Sequence, residues 1–296
     1  MLLTAEKLTK KFGDHTAVAQ LDLNIKENEC VALLGPNGAG KTTTLQMLAG
    51  LLTPTSGSIR FSGTKNINRR LIGYLPQYPA FFPWMSAKEY LQFAGRLSEV
   101  PKKELQGKIE EMLSFAGLEK AKNKRIGGFS GGMKQRLGLA QAMIHEPKLL
   151  ILDEPVSALD PSGRRDVLEM MNELKKKMAI LFSTHVLHDA EQVCDEIVML
   201  KGGKMKWCGN LIDLRKRQGE DHVLLETKEE IGNWLRTENY VAECSFSSPR
   251  AVEFTLRNPE SRNRLLSDCI DKGLTITHFS EKGRTLEDAY LELMEQ

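Results

Sequence analysis

Three groups of residues have the types and spacing to do chemistry. The first is Gly35-Pro36-Asn37-Gly38-Ala39-Gly40-Lys41-Thr42, which fits G-x-x-x-x-G-K-[ST] at every fixed position. Glycines let backbone N–H groups close around phosphate oxygens, and a helix opening after the loop turns its positive end toward them. Lys41 has the reach to meet the β- and γ-phosphates of a nucleotide, and the Thr42 hydroxyl suits Mg²⁺. In a chain this long, chance produces the pattern on the order of 0.01 times at average usage. Gly35, Asn37, Gly38, Gly40, Lys41, Thr42 and Thr43 are therefore expected to bind nucleotide, in preference to forming a bare glycine turn. The second group is Asp153-Glu154, directly after Leu149-Leu150-Ile151-Leu152. An acidic pair is common and usually just solvated, but carboxylates at the end of a buried parallel strand stand where open α/β sheets bind ligands. Asp153 is then placed to complete the Mg²⁺ shell and Glu154 to polarise the attacking water as a general base. The third is Phe129-Ser130-Gly131-Gly132-Met133. Ser130 can cap a following helix, whose N–H groups the two glycines leave open to a phosphate. Alone, this stretch reads as an ordinary helix cap after a glycine turn.

These groups need a rigid frame. Cys30-Val31-Ala32-Leu33-Leu34 is a short apolar run of the kind found in a fully buried strand; the glycine loop follows at once, and Thr43 to Leu51 reads as a helix. Leu149–Leu152 and Ala179-Ile180-Leu181-Phe182 are two more buried strands, while Leu2–Leu8 and Ala17–Ile25 are strand-like near the N-terminus. Residues from about Ala87 to Ala121 carry helical periodicity, with Leu91, Phe93, Leu105, Ile109, Met112, Leu113 and Phe115 as the apolar set. Strands alternating with helices predict an α/β core with a mostly parallel sheet. Glu196–Leu200 and Lys204–Trp207, joined through Lys201-Gly202-Gly203, predict a hairpin that closes the first domain.

Beyond a polar linker at Leu214–Asp221, the expected order is strand (His222–Glu226), helix (Glu229–Glu238), strand (Tyr240–Phe246), strand (Ala251–Leu256), helix (Pro259–Lys272) and strand (Leu274–Phe279). A last helix is expected at Thr285–Met294. The β-α-β-β-α-β order suggests a small α+β, ferredoxin-like unit. The domains are thus expected at 1–209, with a helical subdomain at about 87–145, and at 220–296.

Bulk properties narrow the function classes. With 41% hydrophobic and 27% charged residues the chain has globular composition, so disorder is excluded. Basic and acidic residues number 41 and 39, for a net +2, and nothing points to nucleic acid. Cys30, Cys194, Cys208, Cys244 and Cys269 lie far apart with no C-x-x-C pair, as expected of reduced cytosolic thiols. A spanning helix needs about 20 apolar residues; no run here approaches that, and Met1–Lys11 has no apolar core for a signal peptide.

Phe129-Ser130-Gly131-Gly132-Met133-Lys134-Gln135-Arg136 resembles the L-S-G-G-Q signature of the ABC ATPase family, with Phe129 in place of Leu and Met133 in place of Gln. Its place between the glycine loop and the acidic pair matches the family's order, and the resemblance covers about residues 2 to 209. Within it, Gln77 of Tyr74-Leu75-Pro76-Gln77 resembles the Q-loop glutamine that contacts the metal and the attacking water. Asp160 of Ser157-Ala158-Leu159-Asp160 resembles the D-loop aspartate that communicates across a dimer. His185 of Ser183-Thr184-His185 resembles the switch histidine at the γ-phosphate, and Phe12 of Lys11-Phe12-Gly13 the aromatic that stacks on adenine. Taken singly, Phe12 is more often core and His185 more often a turn residue. The resemblance implies ATP hydrolysis with Mg²⁺ held by Thr42, Gln77 and Asp153. It also implies a head-to-tail dimer, of identical or related subunits, with each ATP between one copy's loop and the other's Ser130 and Gly132. It further implies an integral membrane permease as partner and a peripheral place on the cytoplasmic face of the membrane.

Tyr78-Pro79-Ala80-Phe81-Phe82-Pro83-Trp84-Met85-Ser86 follows Gln77 directly. Either it receives a short helix of the membrane partner, as the family does at this place, or Phe81, Phe82 and Trp84 pack the helical subdomain. The tail Arg284-Thr285-Leu286-Glu287-Asp288-Ala289-Tyr290-Leu291-Glu292-Leu293 looks like the S-L-E-D-x-F-L-x-L ending of ATP-binding subunits of ABC-2-type exporters, including those for antibiotics and other drugs. Amphipathic helix packing explains the same residues. The rival class is a soluble ABC ATPase acting on ribosomes or DNA. Against it stand a single phosphate loop, where ribosome-acting members usually carry two cassettes, and a stretch from 42 to 129 too short for a long coiled coil. A nucleotide-gated regulator without turnover is opposed by the presence of Glu154 and His185.

Overall fold

The computed structural model describes residues 1–65, 67–157, 159–211, 213, 222–258, 261–281 and 290–291. The chain divides into two compact units, Met1–Gly209 and Asn210–Gln296.

The larger unit is organised by runs of apolar residues with no polar alternation, which must be covered on both faces and therefore form the centre of a parallel sheet. β3 (Cys30–Leu34), β6 (Leu149–Leu152) and β7 (Ala179–Thr184) are buried at every residue. With β5 (Ile72–Leu75), β8 (Glu196–Lys201) and β9 (Lys204–Gly209) they make a six-stranded sheet in the order β5-β6-β7-β3-β8-β9. All neighbours are parallel except β8 and β9, the hairpin expected from the sequence. Four adjacent strands, β5, β6, β7 and β3, consequently end at one edge. The chain leaving that edge carries Gln77, Asp153-Glu154, His185 and the glycine loop in turn.

A second sheet, antiparallel, has the order β2-β1-β4, from β1 (Leu3–Phe12), β2 (His15–Ile25) and β4 (Ser56–Phe61). Its alternating inward residues Leu3, Leu8, Leu21, Leu23 and Phe61 share one core with Val31, Leu33, Leu45, Leu48, Ile151 and Leu181. The helix after the glycine loop, α1, runs Lys41–Leu48 and ends before Gly50, whose φ is +70°.

The helical periodicity from Ala87 to Ala121 resolves into two helices, α2 (Ala87–Leu97) and α3 (Lys102–Phe115). Pro101 separates them, since proline caps a helix start but cannot continue the preceding one. Ser86 and Glu89 close a reciprocal capping box at the start of α2. Helices α4 (Gly131–Met143), α5 (Pro161–Leu174) and α6 (Leu187–Val193) complete this unit as described.

The second unit holds β10 (His222–Thr227), β11 (Val241–Ser248), β12 (Ala251–Leu256), α7 (Ser261–Asp271) and β13 (Ile276–Glu281). The sheet order β11-β12-β10-β13, all antiparallel, is that of a split β-α-β unit. One expectation fails: the helix at Glu229–Glu238 is a single 3₁₀ turn, Trp234–Thr237. Gly232 takes φ +71°, and the Ile231 N–H donates to the Pro249 carbonyl, so the backbone is pulled away before a helix can start. The linker Leu214–Asp221 lies outside the described residues. So does the expected last helix apart from Tyr290 and Leu291, which are helical.

Candidate functional site

The glycine loop is shaped by what presses against it. A Cβ on Gly35 would lie 2.3 Å from the Leu200 carbonyl oxygen, and one on Gly40 2.5 Å from that of Ala17. Gly40 also takes φ +97°, and Gly38 φ +80°. The β8–β9 turn holds the loop through the Gly203 N–H, which donates to the Ala39 carbonyl (3.1 Å), while the Gly203 carbonyl accepts from the Ala19 N–H of β2 (2.8 Å). No side chain caps the first turn of α1, which leaves its N–H groups for another acceptor. Gly40→Ala adds left-handed strain of about 1–2 kcal/mol to a carbonyl collision. It is expected to lower the thermal midpoint and to abolish the rise in midpoint that ATP gives the parent protein, both read by melting curves.

Lys41 is buried, and its ammonium donates to the Gly35 (2.7 Å) and Pro36 (3.1 Å) carbonyls. Glu154 Oε1 stands 3.6 Å from it. Burial pulls the Lys41 pKa down, opposed by the charge of Glu154, its hydrogen bond and the charge of Asp153. The carboxylates give the lysine a reason to stay charged in a dry place.

Glu154 is the hub. Its Oε2 accepts from Gln77 Nε2 at 3.0 Å, and its Oε1 lies 3.4 Å from His185 Nδ1. Its backbone takes φ +47°, an uncommon conformation for a non-glycine residue, and its N–H donates to Ser183 Oγ at 2.9 Å. Strain of this kind costs about 1–3 kcal/mol and persists only where neighbours impose it. Here the bond to Ser183 helps to hold the turn. Asp153 is 2% exposed; its Oδ1 accepts from Ser183 Oγ (2.7 Å) and from Thr42 Oγ1 (3.2 Å). A hydroxyl and a carboxylate brought together beside a phosphate-shaped loop form an oxygen-only donor set. Mg²⁺ prefers such a set, with substrate phosphates and waters filling its remaining positions.

The structure therefore gathers Gly35–Thr42, Asp153, Glu154, Gln77 and His185 into one cluster. Ser130, Gly132 and Asp160 make their contacts elsewhere. Ser130 caps α4 through the Met133 N–H (3.3 Å), a Cβ on Gly132 would lie 3.9 Å from Leu159 Cδ2, and Asp160 caps α5 through the Gly163 N–H (3.2 Å). Thr43 is half-buried in the first turn of α1, and Asn37 is exposed in the loop. Phe12 is not core: it is 51% exposed at the end of β1, with the Lys10 ammonium 5.1 Å from its ring centre.

Ser183 was missed by the sequence reading, although it holds both acids; the signal was a hydroxyl at the end of an otherwise apolar strand. The ion pair Arg164–Asp189, with Asp189 buried, leaves no signal in the sequence. In the aromatic segment, Phe81 packs edge-on against Tyr90 (5.0 Å), and Phe82 touches Tyr90, Phe93 and Trp84. Tyr78 and Trp84 remain 75% and 65% exposed, so packing accounts for only part of the segment.

Comparison with known proteins follows the same division of the chain. Residues 18–157 match the family model described as "ABC transporter", and residues 209–294 that of "ATP-binding protein DrrA1-3-like, C-terminal domain". The chain is 58% identical to the uncharacterized ABC transporter ATP-binding protein YxlF of Bacillus subtilis over 99% of both chains. It is 39% identical to the bacitracin transport ATP-binding protein BcrA of Bacillus licheniformis, over 69% of this chain and 68% of that one. Among solved structures, the dimeric post-hydrolysis state of the ATP-binding cassette MJ0796, bound to ADP and Pi, superposes with a TM-score of 0.64. It is 27% identical and spans 71% of this chain and 98% of its own.

Proposed function

Because this chain belongs to the ABC transporter ATP-binding family, and is an ATP hydrolase of that family, we propose that it powers a separate membrane permease that exports a drug, antibiotic, lipid or similar solute. The observation that carries the catalytic part is the position of Glu154, within reach of Lys41, Gln77 and His185 at once. Lys41 and the loop N–H groups hold the β- and γ-phosphates. Glu154 takes a proton from the water that attacks the γ-phosphorus while Gln77 and His185 orient that water and the phosphate. The bond to the bridging oxygen breaks, and ADP and phosphate leave. Thr42, Asp153 and Gln77 would hold Mg²⁺, which would supply positive charge against the charge that develops on the phosphates. Phe12, exposed beside the first hairpin, stacks on adenine.

The residues that stand apart fit the same reading. Ser130 and Gly132 present a helix N-terminus, and Asp160 a capped turn, that complete the site on a second copy or a related subunit. Nucleotide then bridges the copies head to tail, and hydrolysis removes the bridge. Among the described residues no helix is long and apolar enough to cross a membrane. The work is delivered through the permease, at the cytoplasmic face. BcrA's name, that of a bacitracin transport ATP-binding protein, supports transport of an antibiotic-like solute.

Tyr78 and Trp84, the most exposed aromatics of the segment after Gln77, serve as the contact for the permease. An interface anchor of this type is worth about 2 kcal/mol or more. Trp84→Ala is therefore expected to lower permease co-purification about 30-fold, with ATP affinity and the thermal midpoint retained. Loss of folding instead would assign Trp84 to packing. The test of the whole reading is to tag the chain, solubilise native membranes in mild detergent and identify what co-purifies. A stoichiometric multi-spanning protein is the expected result; ribosomes or DNA-bound proteins in its place contradict transport.

A further inference from the structure

The loop that carries His185 is tied to the turn that carries Asp160 by a half-buried ion pair. Asp189, in the first turn of α6, is fully buried. One of its oxygens, Oδ1, accepts from Nε of Arg164 (2.7 Å), in the first turn of α5, and stands 2.6 Å from Nη2 in an ion pair. The other, Oδ2, accepts from Thr184 Oγ1 at 3.3 Å, and that hydroxyl in turn accepts from the Val186 N–H at 3.0 Å. The residues immediately before and after His185 are thus held by one hydroxyl, which is held by Asp189, which is held by Arg164.

At the other end, the Arg164 N–H donates to the Asp160 carbonyl (2.9 Å), and Asp160 Oδ1 caps the helix through Gly163. A Cβ on Gly163 would lie 2.8 Å from that same oxygen, so the glycine leaves room for the capping carboxylate. The guanidinium is rigid and planar, and its charge-assisted bond from Nε, with Nη2 beside the same oxygen, ties Arg164 to Asp189. A movement at Asp160 must therefore move Arg164, and with it the anchor of the His185 loop.

The structure assigns Arg164 and Asp189 as a positioning pair that sets His185 against Glu154 and transmits the state of the Asp160 turn to it. The assignment rests on the reading of His185 as a residue of the hydrolysis site. The pair touches neither substrate nor the reacting atoms; it acts through Thr184 and Val186. A displacement of about 1 Å in a positioned group costs on the order of 100-fold in rate, so the effect belongs in kcat, not in binding.

The test compares Asp189→Asn, Arg164→Lys and His185→Ala in the full chain by steady-state phosphate release against ATP, together with thermal unfolding. Arg164→Lys keeps the charge opposite Asp189 but loses the planar guanidinium, so it stays folded even where Asp189→Asn does not. The expected result is a fall in kcat of about 10- to 100-fold in Arg164→Lys, with KM for ATP within about threefold. Parent kcat in Arg164→Lys, or a lowered unfolding midpoint with kcat retained, overturns the positioning role and leaves the hydrolysis site standing. Parent kcat in His185→Ala removes the reading underneath, independently of the pair.

Discussion

Glu154→Gln is expected to slow ATP hydrolysis by about 10²- to 10⁴-fold while leaving ATP bound. The substitution keeps the size of the side chain and its capacity to hydrogen-bond Gln77, now 3.0 Å away, but the amide cannot take the proton from the attacking water. It also removes the negative charge 3.6 Å from Lys41, which frees the ammonium for the phosphates. Binding is therefore expected to hold or tighten as turnover is lost. Phosphate release under single-turnover conditions, with retention of labelled ATP on a filter, reads both quantities. Normal turnover would show that another group is the base.

Lys41→Ala has the second large effect and the opposite signature. A buried ammonium facing phosphate is worth about 1.5–3 kcal/mol for each charge-assisted hydrogen bond. Removing it also leaves Glu154, 10% exposed at its side chain, without a cation. ATP affinity is expected to fall about 10- to 100-fold or more, with hydrolysis falling at least as far. Equilibrium binding of a fluorescent ATP analogue measures the first. Unchanged affinity would mean that the loop N–H groups bind the phosphates alone. The two variants thus separate holding the nucleotide from cleaving it, although both side chains belong to one cluster.

What could be read from the sequence follows from how local each signal is. β3, β6 and β7 are legible because a strand buried on both faces must be apolar at every position, and each ends on a recognisable chemical group. The glycine loop is legible because close backbone approach leaves few residue types open; the Leu200 and Ala17 carbonyls supply the reason. β5, Ile72-Gly73-Tyr74-Leu75, is not, since its glycine makes room for the Ala142 carbonyl, which comes from a distant helix. The helix expected at Glu229–Glu238 had adequate composition and was overridden by Gly232 and by a bond to Pro249 across the sheet. Ser183 and the Arg164–Asp189 pair have meaning only once β6 and β7 lie side by side and α5 meets α6. Motif spacing carries the residues that touch phosphate, whereas the residues that hold those residues still become visible only in three dimensions.

The proposed clamp makes one demand that a simple ATPase does not: two copies must come together on ATP and part after hydrolysis. The direct measurement is the molar mass of Glu154→Gln in solution, by light scattering, with no nucleotide, with Mg-ATP and with Mg-ADP. The account predicts the 33.3 kDa chain mass without nucleotide and with ADP, and twice that mass with ATP. A mass indifferent to the nucleotide would contradict it.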